Sequence, residues 1–445
     1  MKNKVMFVCS ECGYEAGKWY GRCPECNNWN TFAEVAVLDT KKSHSIDDFS
    51  NSPKPQKLID IKSVRENRLS TGNLEFDRVL GGAQGFFGIV PGSVILLSGD
   101  PGIGKSTILL QIALTLCASG KKILYVTGEE SESQIKLRAE RIDSGKDKKV
   151  SGDLLIFATT NIDRAVEESE HAKPDLIIVD SIQTMASESF PGFPGSVPQI
   201  RYATSRLVTL AKKNNIPVIL VGHVTKEGIV AGPMILSHMV DTVLYMEGEK
   251  LTGTRILRSF KNRFGDTNEV GIFLMEEKGL ISVSESSQFI EKNDKFVPGS
   301  CLTVIMEGSR PLIVEVQALT VSTSLSFPRR VSTGIPDRRI ELLLAILQKT
   351  CKIPLERMDV FVNVVGGLKI SETAGDLAVC LALISSFQNK SLGSLVAIAE
   401  VGLLGELKSV GRLDKRINEA KKFGFKKILS VKDAGFIYDI VRKGL

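Results

Sequence analysis

The sequence predicts an α/β protein: a phosphate-binding core on a mostly parallel sheet, a four-cysteine metal finger before it, and an α+β domain after it. Three observations carry this. A glycine-rich loop at 99–106 sits between an apolar strand-like run and a helical one. Further apolar, β-rich runs alternate with helical stretches downstream, the pattern of parallel strands covered by helices. Four cysteines in two C-x2-C pairs stand near the start.

The totals set the outer bounds. At 445 residues there is room for two or three cores. Apolar content of 43% and charged content of 24% are ordinary for a soluble globular protein. A net charge of +6 permits an anionic partner without demanding one. No apolar run is long enough to cross a bilayer, so no membrane partner is expected. The opening "MKNKVMFVCSECG" has too short an apolar run for a secretory signal. The expected location is therefore the cytoplasm, where thiols stay reduced. Cys117, Cys301, Cys351 and Cys380, scattered among apolar residues, read as buried thiols.

The first domain, 1–35, is built on "CSECGYEAGKWYGRCPEC". Cys9 and Cys12 form one knuckle, Cys23 and Cys26 the other. Two knuckles supply the four thiolates of a tetrahedral zinc site. A segment this short buries too little apolar surface to fold alone, so the metal would supply folding energy. Two disulfides are the alternative, and the inferred compartment argues against them. With all four positions filled by cysteine, no coordination site is left for catalysis. Lys18, Trp19, Tyr20 and Arg22 lie between the knuckles and suit contact with either nucleic acid or protein. A polar, Pro-broken linker is expected over 36–62.

The core, 63–285, starts from "SVILLSGDPGIGKSTILLQIALTLC". Gly99, Gly104, Lys105 and Ser106 satisfy G-x4-G-K-[ST]. The expected cradle is Gly99, Asp100, Pro101, Gly102, Ile103, Gly104, Lys105, Ser106 and Thr107. Glycines let backbone N–H groups curl around phosphate, and the following helix points its N-terminus at the same charge. Lys105 is expected to reach the β- and γ-phosphates of ATP or GTP, and Ser106 to ligate Mg2+. "PDLIIVDSIQT" ends its apolar run at Asp180, the position for a second magnesium-associated carboxylate. "KKILYVTGEES" ends at Glu129 and Glu130; Glu129 is the candidate to polarise the attacking water, with Glu130 the rival. "NIPVILVGHVTKEG" brings His223 and Lys226 to a third strand end. Such ends gather functional groups in parallel sheets. Two Gly/Pro-rich loops, 187–202 with Arg201 and 225–238 with Lys226, suit ligand gripping or plain connection. Later, "RSFKNRFG" places Arg258, Lys261 and Arg263 within six positions.

Taken in order, the four-cysteine knuckles, "GDPGIGKST", "YVTGEES", "LIIVDSIQT", "VGHVTKEG" and above all "KNRFG" resemble the bacterial RadA (Sms) family of RecA-like DNA repair ATPases over nearly the whole chain. The resemblance implies a RecA-like core and ATP as the nucleotide. It implies a DNA-dependent ATPase that processes recombination intermediates and drives branch migration, in a homo-oligomeric ring, with a hexamer expected. Single-stranded and branched DNA are the implied substrates and a RecA-type recombinase the implied partner. Both Gly-rich loops would face DNA, with Arg201 and Lys226 as contacts. Nucleotide in such rings lies between subunits, so Lys261 and Arg263 become candidates for a pair of cations donated in trans. An ATP-switched DNA-binding scaffold without translocation remains the alternative.

The last stretch, 290–445, resembles the Lon proteolytic domain, a Ser–Lys peptidase fold. The catalytic pattern departs from it. "KISETAGD" puts Thr373 where the serine stands, and "GRLDKR" puts Asp414 where the lysine stands, with Lys415 one step away. A one-residue slip on a helix turns a side chain about 100° away. Peptidase activity is therefore not expected, and the domain reads as a scaffold. Arg329, Arg330, Arg338 and Arg339 in "FPRRVSTGIPDRR" form its densest basic cluster. Duplex DNA binding there competes with a solvated face or an intersubunit salt-bridge set.

Overall fold

A computed structural model of the chain describes residues 5–9, 14–25, 27–36, 57, 68–83, 86–142, 153–222, 236–248, 253–283, 297–324 and 327–443. Cys12, Cys26, His223, Lys226 and nearly all of the expected linker lie outside them. The chain divides into two compact units: residues 1–247, 257–267 and 275–281, and residues 248–256, 268–274 and 282–445. No helix among the described residues is long and apolar enough to cross a membrane.

In the first unit, strands β1 (Val5–Cys9), β2 (Glu15–Ala16) and β3 (Phe32–Ala36) form a small sheet in the order β2-β1-β3. Helix α1 (Leu74–Leu80) follows, capped by Asn73, whose side chain accepts the Phe76 N–H. A short hairpin, β4 (Gly82–Ala83) and β5 (Phe86–Phe87), leads into the main sheet.

That sheet is built from β6 (Val94–Gly99), β7 (Ile123–Thr127), β8 (Leu154–Ala158), β9 (Leu176–Asp180), β10 (Val218–Val221) and β11 (Thr242–Gly248). The spatial order is β11-β6-β10-β9-β7-β8, with parallel pairing throughout. Strands β6, β7, β9 and β10 are buried along their whole length, as near-continuous Val/Ile/Leu runs in a two-sided parallel sheet must be. The crossovers are α2 (Lys105–Ala118), α3 (Glu132–Ile142), α4 (Ile162–Ala172) and α5 (Val197–Asn214). Strands β12 (Thr254–Asn262), β13 (Val270–Glu276) and β14 (Gly279–Ser282) extend the sheet beyond β11. Lys261 and Asn262 thus belong to a strand rather than to a loop after one.

The second unit holds a mixed sheet of β15 (Ser300–Glu307), β16 (Arg310–Ser322), β17 (Arg330–Thr333), β18 (Met358–Val364), β19 (Leu395–Ile398) and β22 (Lys427–Ser430), in the order β17-β18-β16-β15-β19-β22. Strands β20 (Glu400–Val401) and β21 (Leu407–Lys408) form a separate hairpin. Helices α6 (Asp337–Cys351), α7 (Asp376–Gln388), α8 (Leu413–Lys422) and α9 (Ile437–Arg442) complete it. Helix α7, "DLAVCLALISSFQ", is apolar almost all round and buried over nearly its whole length, as such a helix must be.

Candidate functional site

The nucleotide site is a consequence of where β6 ends. Its last residue, Gly99, has φ +148°, and a Cβ there would stand 2.2 Å from the Met246 carbonyl oxygen on β11. Backbone cannot yield to a side chain, so only glycine fits this approach. The chain then turns through Asp100, Pro101 and Gly102, all exposed, and the buried Ile103. Gly104 takes φ +114° and starts α2 with no side-chain cap, leaving the first-turn N–H groups to an anion. A Cβ on Gly104 would meet the Met275 methyl at 2.7 Å. Ser106 and Thr107 lie half-buried on the first turn.

Lys105 is buried, and its Nζ donates to the carbonyls of Gly99 at 2.8 Å and Asp100 at 3.0 Å. Burial pushes this ammonium below its ordinary pKa, opposed by the negative charges of Asp180, Asp100 and Glu129. Those carboxylates therefore share Lys105's surroundings, although they come from three strand ends. Asp180 closes β9, is buried, and accepts the Tyr125 hydroxyl proton at 2.6 Å. Burial first, then the Asp180 charge, drive the Tyr125 hydroxyl well above its usual range, so it stays a donor. The two neighbouring glutamates are used differently. Glu130 is ion-paired with Arg138 and has its backbone tied to the Thr127 hydroxyl. Glu129 is exposed, and its Oε1 accepts the Ser181 hydroxyl proton at 2.5 Å.

Lys261 and Arg263 are not brought to this cradle. The Lys261 Nζ donates to the carbonyls of Ser237 at 2.6 Å and Val240 at 2.8 Å. Burial, then the Arg263 charge, lower its pKa. Arg263, with a side chain 58% exposed, bonds the buried Asp241 at 3.3 Å. Asp241 also takes Lys212 at 2.7 Å and the Val94 N–H at 3.0 Å. Val94 is the first residue of β6 and the phosphate loop follows the last. Asn262 and Arg68 complete the anchor: Asn262 donates to the Leu80 carbonyl, and Arg68 to the carbonyls of Gly81, Gly88 and Phe264.

After β9 the chain forms the first Gly/Pro-rich loop. Gln199 organises it: its Oε1 accepts the Ser187 N–H, and its Nε2 donates to the carbonyls of Ser187, Phe190 and Gly192. Phe190 stacks on Tyr202 at 4.5 Å, while Phe193 is 78% exposed at the tip. Arg201 is exposed on α5. Nothing in a lone glutamine marks such a role in sequence; Tyr125 and Asp241 were equally silent.

In the finger, Cys9 and Cys23 come from different knuckles and are both fully buried in one cluster with Ala16 and Phe32. Each starts a fold-back, with the Cys9 N–H donating to the Tyr14 carbonyl and the Cys23 N–H to that of Asn28. Thiols gathered this way from two turns fit a thiolate-binding metal.

The second unit corrects one expectation. The four arginines do not form a single free cluster. Arg339 pairs with the buried Asp376, its Nε at 2.8 Å from Oδ1. Arg330 donates to the carbonyls of Arg329, Met358 and Leu355. Arg329 and Arg338 are exposed. Thr373 donates its hydroxyl proton to Glu400 at 2.7 Å, Asp414 pairs with Lys432, and the Lys415 Nζ donates to the Ser309 carbonyl. Thr373 and Lys415 thus engage different partners.

Residues 86–228 match the family described as AAA domain, and residues 7–34 that described as rubredoxin metal binding domain. DNA repair protein RadA of Streptococcus pyogenes serotype M6 is 46% identical over 435 residues, covering 97% of this chain and 94% of that protein. The chain belongs to the RadA family of DNA repair proteins. Other members include those of Listeria monocytogenes, 45% identical over 97% of this chain and 93% of that protein, and Bacillus subtilis, 43% over 96% and 92%. Among solved structures, the RadB recombinase is 24% identical with a TM-score of 0.38, covering 48% of this chain and 100% of that one.

Proposed function

We propose that this chain is a DNA-dependent ATPase that processes branched recombination intermediates in DNA repair, driving branch migration as a cytoplasmic hexameric ring in which each nucleotide lies between two subunits. Membership of the RadA family supports the repair role, and the AAA-type core supports ATP hydrolysis. One observation carries the shared-site part. Arg263 is tied through Asp241 to Val94, at the start of β6, whereas the phosphate loop follows Gly99 at its end. Five strand steps separate them, roughly 17 Å, more than an arginine side chain spans. That distance from its own subunit's phosphate loop supports a role for Arg263 toward a neighbour's γ-phosphate.

In this reading the α2 N-terminus and Lys105 hold the β- and γ-phosphates. Ser106 and Asp180 would hold Mg2+, which supplies charge neutralisation on the phosphate oxygens. Glu129 orients the attacking water, and its bond to Ser181 fixes the carboxylate. Arg263 and Lys261 lend positive charge across the seam. The loop held by Gln199, with Arg201, and the exposed Arg329 present groups to DNA. The half-buried Arg330 supports Arg329 through its carbonyl. Cys9, Cys12, Cys23 and Cys26 would hold structural Zn2+. A RecA-type recombinase is the proposed protein partner.

Mixing subunits tests the shared site. Chains carrying Lys105→Ala and chains carrying Arg263→Ala are each expected to be inactive alone. Mixed, they recover part of the ATPase rate, because some seams pair an intact cradle with an intact cation. No recovery at any ratio refutes the trans role.

A further inference from the structure

Both tryptophans of the chain, Trp19 and Trp29, lie on the finger. They are 52% and 70% exposed. They are also neighbours: a Cβ on Gly21 would stand 3.5 Å from Cη2 of Trp19 and 3.9 Å from Cζ3 of Trp29. Gly21 itself places no side chain against either ring. Arg22 and Trp29 pair across a backbone bridge, and the guanidinium carbon lies 5.8 Å from the indole centroid. The Arg22 Nε donates to the Asn27 carbonyl at 2.9 Å, which fixes the cation beside the ring. The Lys18 ammonium lies 5.1 Å from the Tyr20 ring. Tyr20 packs at 5.9 Å on Phe32, which is buried with Cys9 and Cys23. The face therefore combines outward aromatic rings, cations set beside two of them, and a buried anchor behind.

We propose that Trp19 and Trp29, with Lys18 and Arg22, form a stacking platform for unpaired bases of single-stranded DNA. Each nucleotide offers a π-face and a phosphate, the two complements this surface requires. Duplex DNA hides its base faces. An apolar protein surface would cover the indoles while leaving the two cations to be desolvated without partners. The choice of DNA as the ligand rests on the DNA-directed function proposed above; the location rests on the geometry of the finger alone.

Selective tryptophan excitation reads this face and no other part of the chain. Oligothymidine is titrated into the full-length protein, with occupancy followed in parallel by anisotropy of a labelled strand. The platform predicts saturable quenching of tryptophan emission that tracks occupancy. Trp29→Ala weakens binding by about 5- to 150-fold, the loss of one stacked base, while Trp29→Phe retains most of the affinity. Lys18→Ala and Arg22→Ala each reduce the slope of log affinity against log salt by about 0.7. Zinc content equal to that of the unaltered chain shows that each variant finger is folded. If the oligonucleotide binds by anisotropy while emission stays flat and both Trp29 variants bind normally, the platform is refuted and the ATPase reading stands. If no strand binds at all, both fall. Emission that responds to a RecA-type recombinase and not to DNA replaces the platform with a protein contact.

Discussion

Glu129 and Glu130 are adjacent, yet their surroundings assign them different work. An arginine already neutralises Glu130, whereas Glu129 accepts the Ser181 hydroxyl proton. Glu129→Gln is expected to keep ATP affinity within a few-fold and to lower turnover by about 100-fold or more. Nucleotide binding and single-turnover hydrolysis, measured side by side, separate the two effects; a near-normal rate would reassign the water-orienting role. Asp376 shows the opposite use of a carboxylate. Burial raises its pKa, and Arg339 opposes that rise by hydrogen bond and charge. A raised acid contributes stability that is fully present below its unfolded pKa, about 3.9, and is lost as pH climbs through the folded value. Arg339→Leu removes the opposing cation and enlarges the rise. Its melting point should therefore fall far below that of the unaltered chain at pH 7, by an amount equivalent to about 3 to 5 kcal/mol, and much less at pH 4. An equal gap at both pH values would show that Asp376 is not the group left unpaired.

At the level of elements, the end of β6 and the loop after β9 were legible to different degrees. The phosphate loop could be read because its chemistry fixes residue type at fixed spacing. Its dependence on Met246 could not, since that contact arises only when β11 pairs beside β6. Gly99→Ala should cost at least about 2 kcal/mol and abolish nucleotide binding together, because the added methyl meets a carbonyl that the sheet holds in place. Thermal melts with and without nucleotide check both parts. The loop at 187–196 was visible as a Gly/Pro-rich stretch, but composition does not reveal that Gln199 makes four hydrogen bonds to its backbone. Gln199→Ala should make this loop a preferred site of proteolytic nicking and reduce stimulation of ATPase by DNA; unchanged nicking would separate Gln199 from the loop's order. The arginine cluster misled for the same kind of reason. Proximity in sequence says nothing of side-chain direction, and α6 turns Arg339 inward to Asp376 while Arg338 stays exposed.

For the molecule as a whole, "KNRFG" is the clearest case of a motif whose presence was evident and whose meaning was not. Its cations were plain from the residues; their position at the far end of β6 came from Asp241, which joins Arg263 to Val94. Under the function proposed above, that position makes the single chain an incomplete enzyme, with the cradle on one subunit and the neutralising cation on the next. ATP turnover per chain, measured against protein concentration in the presence of single-stranded DNA, addresses this most directly. The account predicts that specific activity collapses on dilution, in step with dissociation of the assembly followed by mass photometry. Specific activity that holds constant down to isolated chains would contradict it.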